Sequence, residues 1–198
     1  TSKDLMVLGM TPPDPRRFVP HLNFYDCSKV SDGASSILIL SEEGLKKCGI
    51  LPQEAIEIIA VGEAEGDITQ PPQDLTKLTT TEIAAKKSLE QAGISIQDLG
   101  ILELHDCFSI TGLLALEAIG FTAPGQAAEW IIDRQIARDG TIPTNLSGGL
   151  CGFGHPTGAT GVRQLVDLLH QLTGKAAHQA NIKKPYGMMV SMGGNDKT

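Results

Sequence analysis

Residues 145–169 read NLSGGLCGFGHPTGATGVRQLVDLL, which sets six glycines, a cysteine and a histidine directly ahead of a helical pattern. Glycine at this density serves where backbone must hold φ > 0 or pass close to a ligand, conditions that a Cβ forbids. Val162, Leu165, Val166, Leu169 and Leu172 then recur at helical spacing, with Gly174 as a stop. The run therefore predicts a glycine-rich loop feeding an amphipathic helix whose buried face is those five residues.

The chain on either side alternates strand and helix signals. SSILIL (35–40) suits a buried strand, Ser41 with two glutamates opens a short helix ending near Gly49, and AIEIIAVGEA (55–64) reads as a second strand. After a polar loop at 66–78, threonines followed by Glu82 give a capping-box signature. The helix they open buries Ile83, Ala84, Leu89 and Ala92 and stops at Gly93. GILEL (100–104) is a strand that runs straight into HDCF, and Ile110, Leu113, Leu114 and Leu116 mark a helix over 109–119. His105, Asp106 and Cys107 thus occupy a strand-to-helix corner, a favoured ligand position in α/β folds. YGMMVSMGG is a last strand, with Met188 and Met189 in the core. GGND after it is a hairpin-turn signal with little chain left to return, which suggests a piece of a longer sequence whose final strand is missing. Residues 1–23, rich in Pro and Arg, read as a linker or the end of a preceding region, and 24–198 as the folded unit.

Composition narrows the function classes. At 198 residues, 41% hydrophobic and 20% charged, the chain can bury a core of one domain. A net charge of −7 without a basic cluster argues against nucleic acid. No run reaches the length of a membrane span, and the start lacks a signal-peptide pattern. Cys27, Cys48, Cys107 and Cys151 show neither disulfide-framework nor metal-ligand spacing and read as reduced thiols. No metal is expected, and His21, His170 and His178 read as solvent-facing. The expected setting is cytoplasmic, or peroxisomal or mitochondrial in a eukaryote. Read without any family, Cys107 fits a buried small residue better than a catalyst, and His155 fits a structural cap as well as a functional group.

Four blocks in order, CSKVSDGAS, HDCF, GHPTGATG and SMGG, resemble the C-terminal half of the thiolases. HDCF, together with Ser191 where most thiolases carry a late cysteine, resembles the sterol carrier protein 2 type. The resemblance implies an α/β thiolase-like fold, of which this half supplies a mixed five-stranded sheet flanked by helices. It also implies an activity of lipid metabolism: thiolysis of a 3-ketoacyl-CoA, or Claisen condensation of acyl-CoA units, with a coenzyme A thioester as substrate.

By the same resemblance, Cys107 is the acid/base thiol, and the helix it precedes is expected to lower its pKa. His155 activates the nucleophile and helps bind the thioester oxygen; the positive end of the following helix favours its neutral form. His105 holds a water or donates to an enolate oxygen, the Gly193 N–H serves the second oxyanion, and Ser28 contacts the pantetheine arm of CoA. Cys151 lines the pocket. The nucleophilic cysteine belongs to an N-terminal half that this sequence does not match, so that half is an expected partner, within a homodimer or tetramer. A non-catalytic acyl-CoA-binding or scaffold subunit is one alternative. A thiolase-like aldolase on CoA esters, paired with a small OB-fold protein, is another, against which the intact GHP block counts.

Overall fold

The computed structural model describes residues 24–193, 196 and 197. Eight elements are placed: helix α1 (Glu42–Cys48), helix α2 (Thr79–Ala92), strand β1 (Leu99–Glu103), helices α3 (Ser109–Ala118), α4 (Ala127–Ile132), α5 (Gly149–Phe153) and α6 (Thr157–Leu172), and strand β2 (Tyr186–Met189). Single 3-10 turns lie at Phe24–Asp26, Pro52–Glu54 and Ile96–Asp98.

β1 is buried along its whole length and pairs with β2 in parallel, Leu102 opposite Met188 and Glu103 opposite Met189. The pairing continues past the strand ends, where the Val190 N–H donates to the Glu103 carbonyl at 2.8 Å. On its other edge β1 meets residues 143–145: the Leu102 N–H donates to Pro143 at 2.9 Å and the Asn145 N–H to Leu102 at 3.1 Å, forming a parallel bridge between Leu102 and Thr144. β1 is thus central, and three chain segments end side by side in the same direction. The carboxyl ends of parallel strands are where α/β folds gather their ligands.

Alternation along β1 divides the core. Leu102 and Leu104 pack with Ala115, Leu116, Ile119 and Ile142 on the α3 side, whereas Ile101 packs with Leu168 of α6 and Ala180. Buried α6 residues Thr160, Gln164 and Leu168 form an i, i+4, i+8 row, the spacing of one helix face, and the Leu168 end of that row lies on β1. The face expected from the apolar pattern (Val162, Leu165, Val166, Leu169, Leu172) is instead half-buried. Leu165 and Leu172 line a groove of about 880 Å³ between α6, β2 and residues 56–60, so part of that apolar stripe fronts a gap rather than a packed neighbour.

Several expectations are corrected. Among the described residues the sheet has two strands and a bridge, not the five strands implied by the resemblance. Residues 35–40 and 55–64 are not strands; Leu38 and Ile39 are 74% and 73% exposed, because strand propensity yields a strand only where a neighbouring backbone completes the ladder. The inward stripe of α2 is Thr81, Ala85 and Leu89, with Ile83 exposed. On α3 the buried residues are Ala115 and Leu116, and Ile110 is exposed.

The GGND segment is described in part, as a turn in which the Lys197 N–H donates to the Gly193 carbonyl at 3.0 Å. Gly194 and Asn195 lie outside the described residues, as do 1–23 with the expected linker and His21. The Asp196 carboxylate accepts from the Thr80 and Thr81 amides at 2.8 Å each and from the Thr81 hydroxyl at 2.6 Å. It therefore caps α2 from a distant part of the sequence. The local capping box expected there is absent, since Leu78 occupies the N-cap position without a side-chain bond.

Candidate active site

His105 leaves the end of β1 and is 5% exposed. His155 enters from the loop before α6, and the two rings meet edge to face with centroids 5.0 Å apart and planes at 89°. Gly154, just before His155, sits at φ +120°, and a Cβ there would lie 2.5 Å from Ser31 Oγ, so glycine lets the Ser31 segment pack against this loop. His155 Nδ1 lies 2.7 Å from Thr160 Oγ1, and that hydroxyl also reaches the Pro156 carbonyl at 3.1 Å. A carbonyl only accepts, so the arrangement that uses both contacts puts the ring hydrogen on Nδ1. The Nε2 lone pair is then left as an acceptor.

Asp106 ties the two motifs together. Its Oδ1 accepts from the Leu150 N–H at 2.7 Å, and its carboxylate fills the space beside Gly149, where a Cβ would lie 2.3 Å from Oδ2. Gly149 sits at φ +60°, so both space and conformation demand glycine. The Cys151 thiol points at the Asp106 carbonyl, 3.0 Å away. Asn145, at φ +50°, completes the corner: Oδ1 accepts from the Leu104 N–H at 2.7 Å and Nδ2 donates to the Leu104 carbonyl at 3.1 Å.

Cys107 follows, half-buried, with its sulfur 3.9 Å from Thr111 Oγ1. Residues 27–33 strap both loops. The Ser28 N–H donates to the Cys107 carbonyl at 2.8 Å, Cys27 bridges Phe108, and Gly33 sits so close to Pro156 that a Cβ would reach its Cγ at 2.9 Å. The structure thus brings Ser28, His105, Cys107, Cys151 and His155 into one region. Gly193 lies three residues beyond Val190, in the segment that follows β2, and its carbonyl accepts from the Lys197 N–H at 3.0 Å.

Burial keeps these groups neutral. It pushes the His105 imidazole down to about 4, with the neighbouring His155 adding to the effect. His155 is lowered by burial and by Arg163, against an opposing pull from Asp106. The Cys107 thiol is raised, chiefly by burial, and the Thr111 contact offsets this only in part; the lowering expected from the helix start does not prevail. Cys151 is pushed up to about 11 by burial and the Asp106 charge. Two neutral imidazoles beside a protonated thiol can pass protons but carry no resting charge, which suits acid–base work. Among the described residues no cluster of three or more His, Cys, Asp or Glu side chains could hold a metal. No helix among them is long and apolar enough to cross a membrane.

Sequence reasoning did not assign roles to Asp106, Asn145 or Thr160, nor to buried Glu103 and Arg163. One signal was present: an acid inside the apolar run GILEL is costly unless it has work to do.

An α/β chain with two histidines and a thiol gathered beyond a central parallel strand has the thiolase-like fold, and solved structures share it. The acetyl-CoA acetyltransferase of Bacillus anthracis superposes with TM-score 0.54 at 25% identity, over 76% of this chain and 32% of that one. A structure titled Ltp2-ChsH2(DUF35) aldolase superposes with TM-score 0.57 at 22% identity, over 62% and 33%. The chain belongs to the thiolase C-terminal domain-like family, whose model matches residues 61–197. It is 34% identical to an acetyl-CoA acetyltransferase of Methanothermobacter thermautotrophicus, over 89% of this chain and 46% of that protein. It is 35% identical to sterol carrier protein 2 of Rattus norvegicus, over 78% and 29%. The chain therefore spans less than half the length of these relatives.

Proposed function

We propose that this chain is the C-terminal half of a thiolase-type acyltransferase acting on coenzyme A thioesters. The observation that carries the reading is the 5.0 Å edge-to-face contact of His105 and His155, which joins the HDCF and GHP motifs at one place. In thiolysis, a cysteine of the N-terminal half gives its proton to His155 Nε2 and attacks the 3-keto carbon. The C2–C3 bond breaks, its electron pair leaves as the enolate of acetyl-CoA, and Cys107 donates its proton to C2. The Cys107 thiolate then takes the proton of an incoming CoA thiol, whose sulfur attacks the acyl-enzyme and releases the nucleophile. A thiol raised by burial holds its proton at neutral pH, which matches the donor half of this cycle.

His105 serves the enolate oxygen, directly or through a water, and the Gly193 N–H serves the oxyanion of the acyl-transfer step. Removing one such donor typically costs about a hundredfold to a thousandfold in rate. In this reading Ser28, whose N–H donates to the Cys107 carbonyl, contacts the pantetheine arm. The working assembly is the two halves together, as a homodimer or tetramer.

The test is acetoacetyl-CoA thiolysis by the protein carrying its N-terminal half, wild type against Cys107→Ala and His155→Ala. Turnover lost in both variants with assembly intact supports the reading. A wild type that assembles but never turns over assigns the chain to a non-catalytic acyl-CoA-binding subunit. Cleavage of a CoA ester to an aldehyde or ketone, dependent on a small OB-fold partner, assigns it to the aldolases.

A further inference from the structure

β2 is bonded to β1 along one edge, and no described segment pairs with its other edge. The Val190 N–H faces β1, where it donates to the Glu103 carbonyl, so by strand alternation the N–H groups of Gly187 and Met189 face away from β1. Beyond that outer edge lies the groove of about 880 Å³. Its walls come from both helix layers: Leu89 of α2 packs with the Leu102 face of the sheet, and Leu172 of α6 packs with the Ile101 face. A free strand edge opening into a gap between two helix layers has the form of a place for one more strand.

Residues 56–64 make the far wall. Residues 56–60 front 182–189 across this groove, and 58–64 front 188–191 across a second one of about 340 Å³. The two segments advance together, so 56–64 runs parallel to β2. Ile56-Glu57-Ile58-Ile59-Ala60-Val61 is an almost unbroken apolar run, the pattern of a parallel strand covered on both faces rather than of a surface loop. Yet Ile58 and Ile59 are 49% and 41% exposed. The far end of the segment is already anchored on α2. The Val61 N–H donates to Gln91 Oε1 at 3.2 Å and Lys87 Nζ to the Glu63 carbonyl at 3.0 Å, and Gly62 lies so close that a Cβ there would meet the Ala84 carbonyl oxygen.

We propose that residues 56–61 are a third strand of this sheet, undocked in this state, which closes on the outer edge of β2 and fills the groove. Docking gives the Gly187 and Met189 N–H groups carbonyl partners, removes an exposed strand edge and takes Ile58 and Ile59 out of water. Native interiors leave few voids larger than a water molecule, so the closed arrangement is the better packed one. The segment is tethered at Val61–Glu63, which gives it a high effective concentration over any separate chain that could add to the same edge. β2 runs on toward Gly193, so closure also steadies the backbone that presents the Gly193 N–H. That consequence rests on the proposed function; the docking itself does not.

The experiment is amide hydrogen exchange, read at single residues, on the protein carrying its N-terminal half. The Gly187 and Met189 amides are expected to exchange at least about a hundredfold more slowly than in an open chain. Ile59→Lys places a charge where the docked strand is covered on both faces, and is expected to restore fast exchange at those two amides. Val190, bonded to Glu103 from β1, stays protected and reports that the sheet of the variant is folded. Fast exchange at Gly187 and Met189 beside a protected Val190 in the wild type overturns the proposal. So does protection that survives Ile59→Lys, which means that another segment or subunit covers the edge. The wild-type rates alone decide the first point, so a variant that unfolds does not shield it. Because no turnover is measured, a failed thiolysis assay and a failed docking are separate results.

Discussion

Gly149 and Gly152 stand three residues apart in the same short helix, and alanine at the two positions is expected to act in opposite directions. At Gly149 a new Cβ lies 2.3 Å and 2.6 Å from the two Asp106 carboxylate oxygens and 2.7 Å from Asn145 Nδ2. Relief requires Asp106 to withdraw, which gives up its 2.7 Å bond from the Leu150 N–H. A hydrogen bond to a charged group contributes about 1.5–3 kcal/mol. Holding alanine at φ +60° adds about 1–2 kcal/mol. Gly149→Ala is therefore expected to destabilise by about 3–4 kcal/mol. At Gly152 a new methyl group would have no other atom within 4 Å, and alanine in a helix is favoured over glycine by about 1 kcal/mol. Gly152→Ala is expected to be neutral or slightly stabilising. Urea unfolding followed by circular dichroism separates the two. A Gly149→Ala variant within about 1 kcal/mol of wild type refutes the argument that the Asp106 carboxylate needs that space.

Other expectations follow from the same geometry. Asp196→Ala removes three acceptor contacts at the start of α2 and is expected to cost about 2 kcal/mol, read as a lower Tm; an unchanged Tm shows that the cap is not used in solution. His105 has a native pKa depressed to about 4, below the value near 6.5 of an unfolded chain. Its contribution to stability is thus present above pH 6.5 and is lost as pH falls toward 4, by at most about 1.4 kcal/mol per pH unit. His105→Gln should flatten unfolding free energy against pH over that window, and an unaltered slope counts against a buried neutral imidazole. Iodoacetamide near neutral pH should modify exposed Cys48 well before Cys107 and Cys151, whose thiols burial holds protonated; peptide mass mapping that finds Cys107 first contradicts the raised pKa.

What the sequence disclosed, and what it withheld, divides along a physical line. The helix after the GHP loop, the α2 stop at Gly93 and the buried strand before HDCF were all readable, because capping, helical period and a short apolar run are local properties. Roles for His105 and His155 came from motif resemblance, and their edge-to-face contact was not foreseen, since no local rule relates residues so far apart. The strands expected at 35–40 and 55–64 failed because pairing is decided by a neighbour, not by the strand's own residues. The capping role of Asp196 was not foreseen, for the same reason. Its role as a cap depends on Thr80 and Thr81, remote in sequence, and a turn-forming composition gave no hint of them. The direction of the Cys107 shift was misjudged because desolvation, which only the packed structure reveals, outweighs a helix end.

Asn145 has a consequence beyond holding its corner. Its side-chain amide presents a carbonyl to the Leu104 N–H and an N–H to the Leu104 carbonyl, which is what a peptide unit on a neighbouring strand would present. The sheet therefore gains one more rung built from a side chain, while the main chain is released to turn into the glycine loop. Aspartate has the reach but no hydrogen to give, and leucine has neither group, so this is a place where a single amide does the job of an absent stretch of backbone.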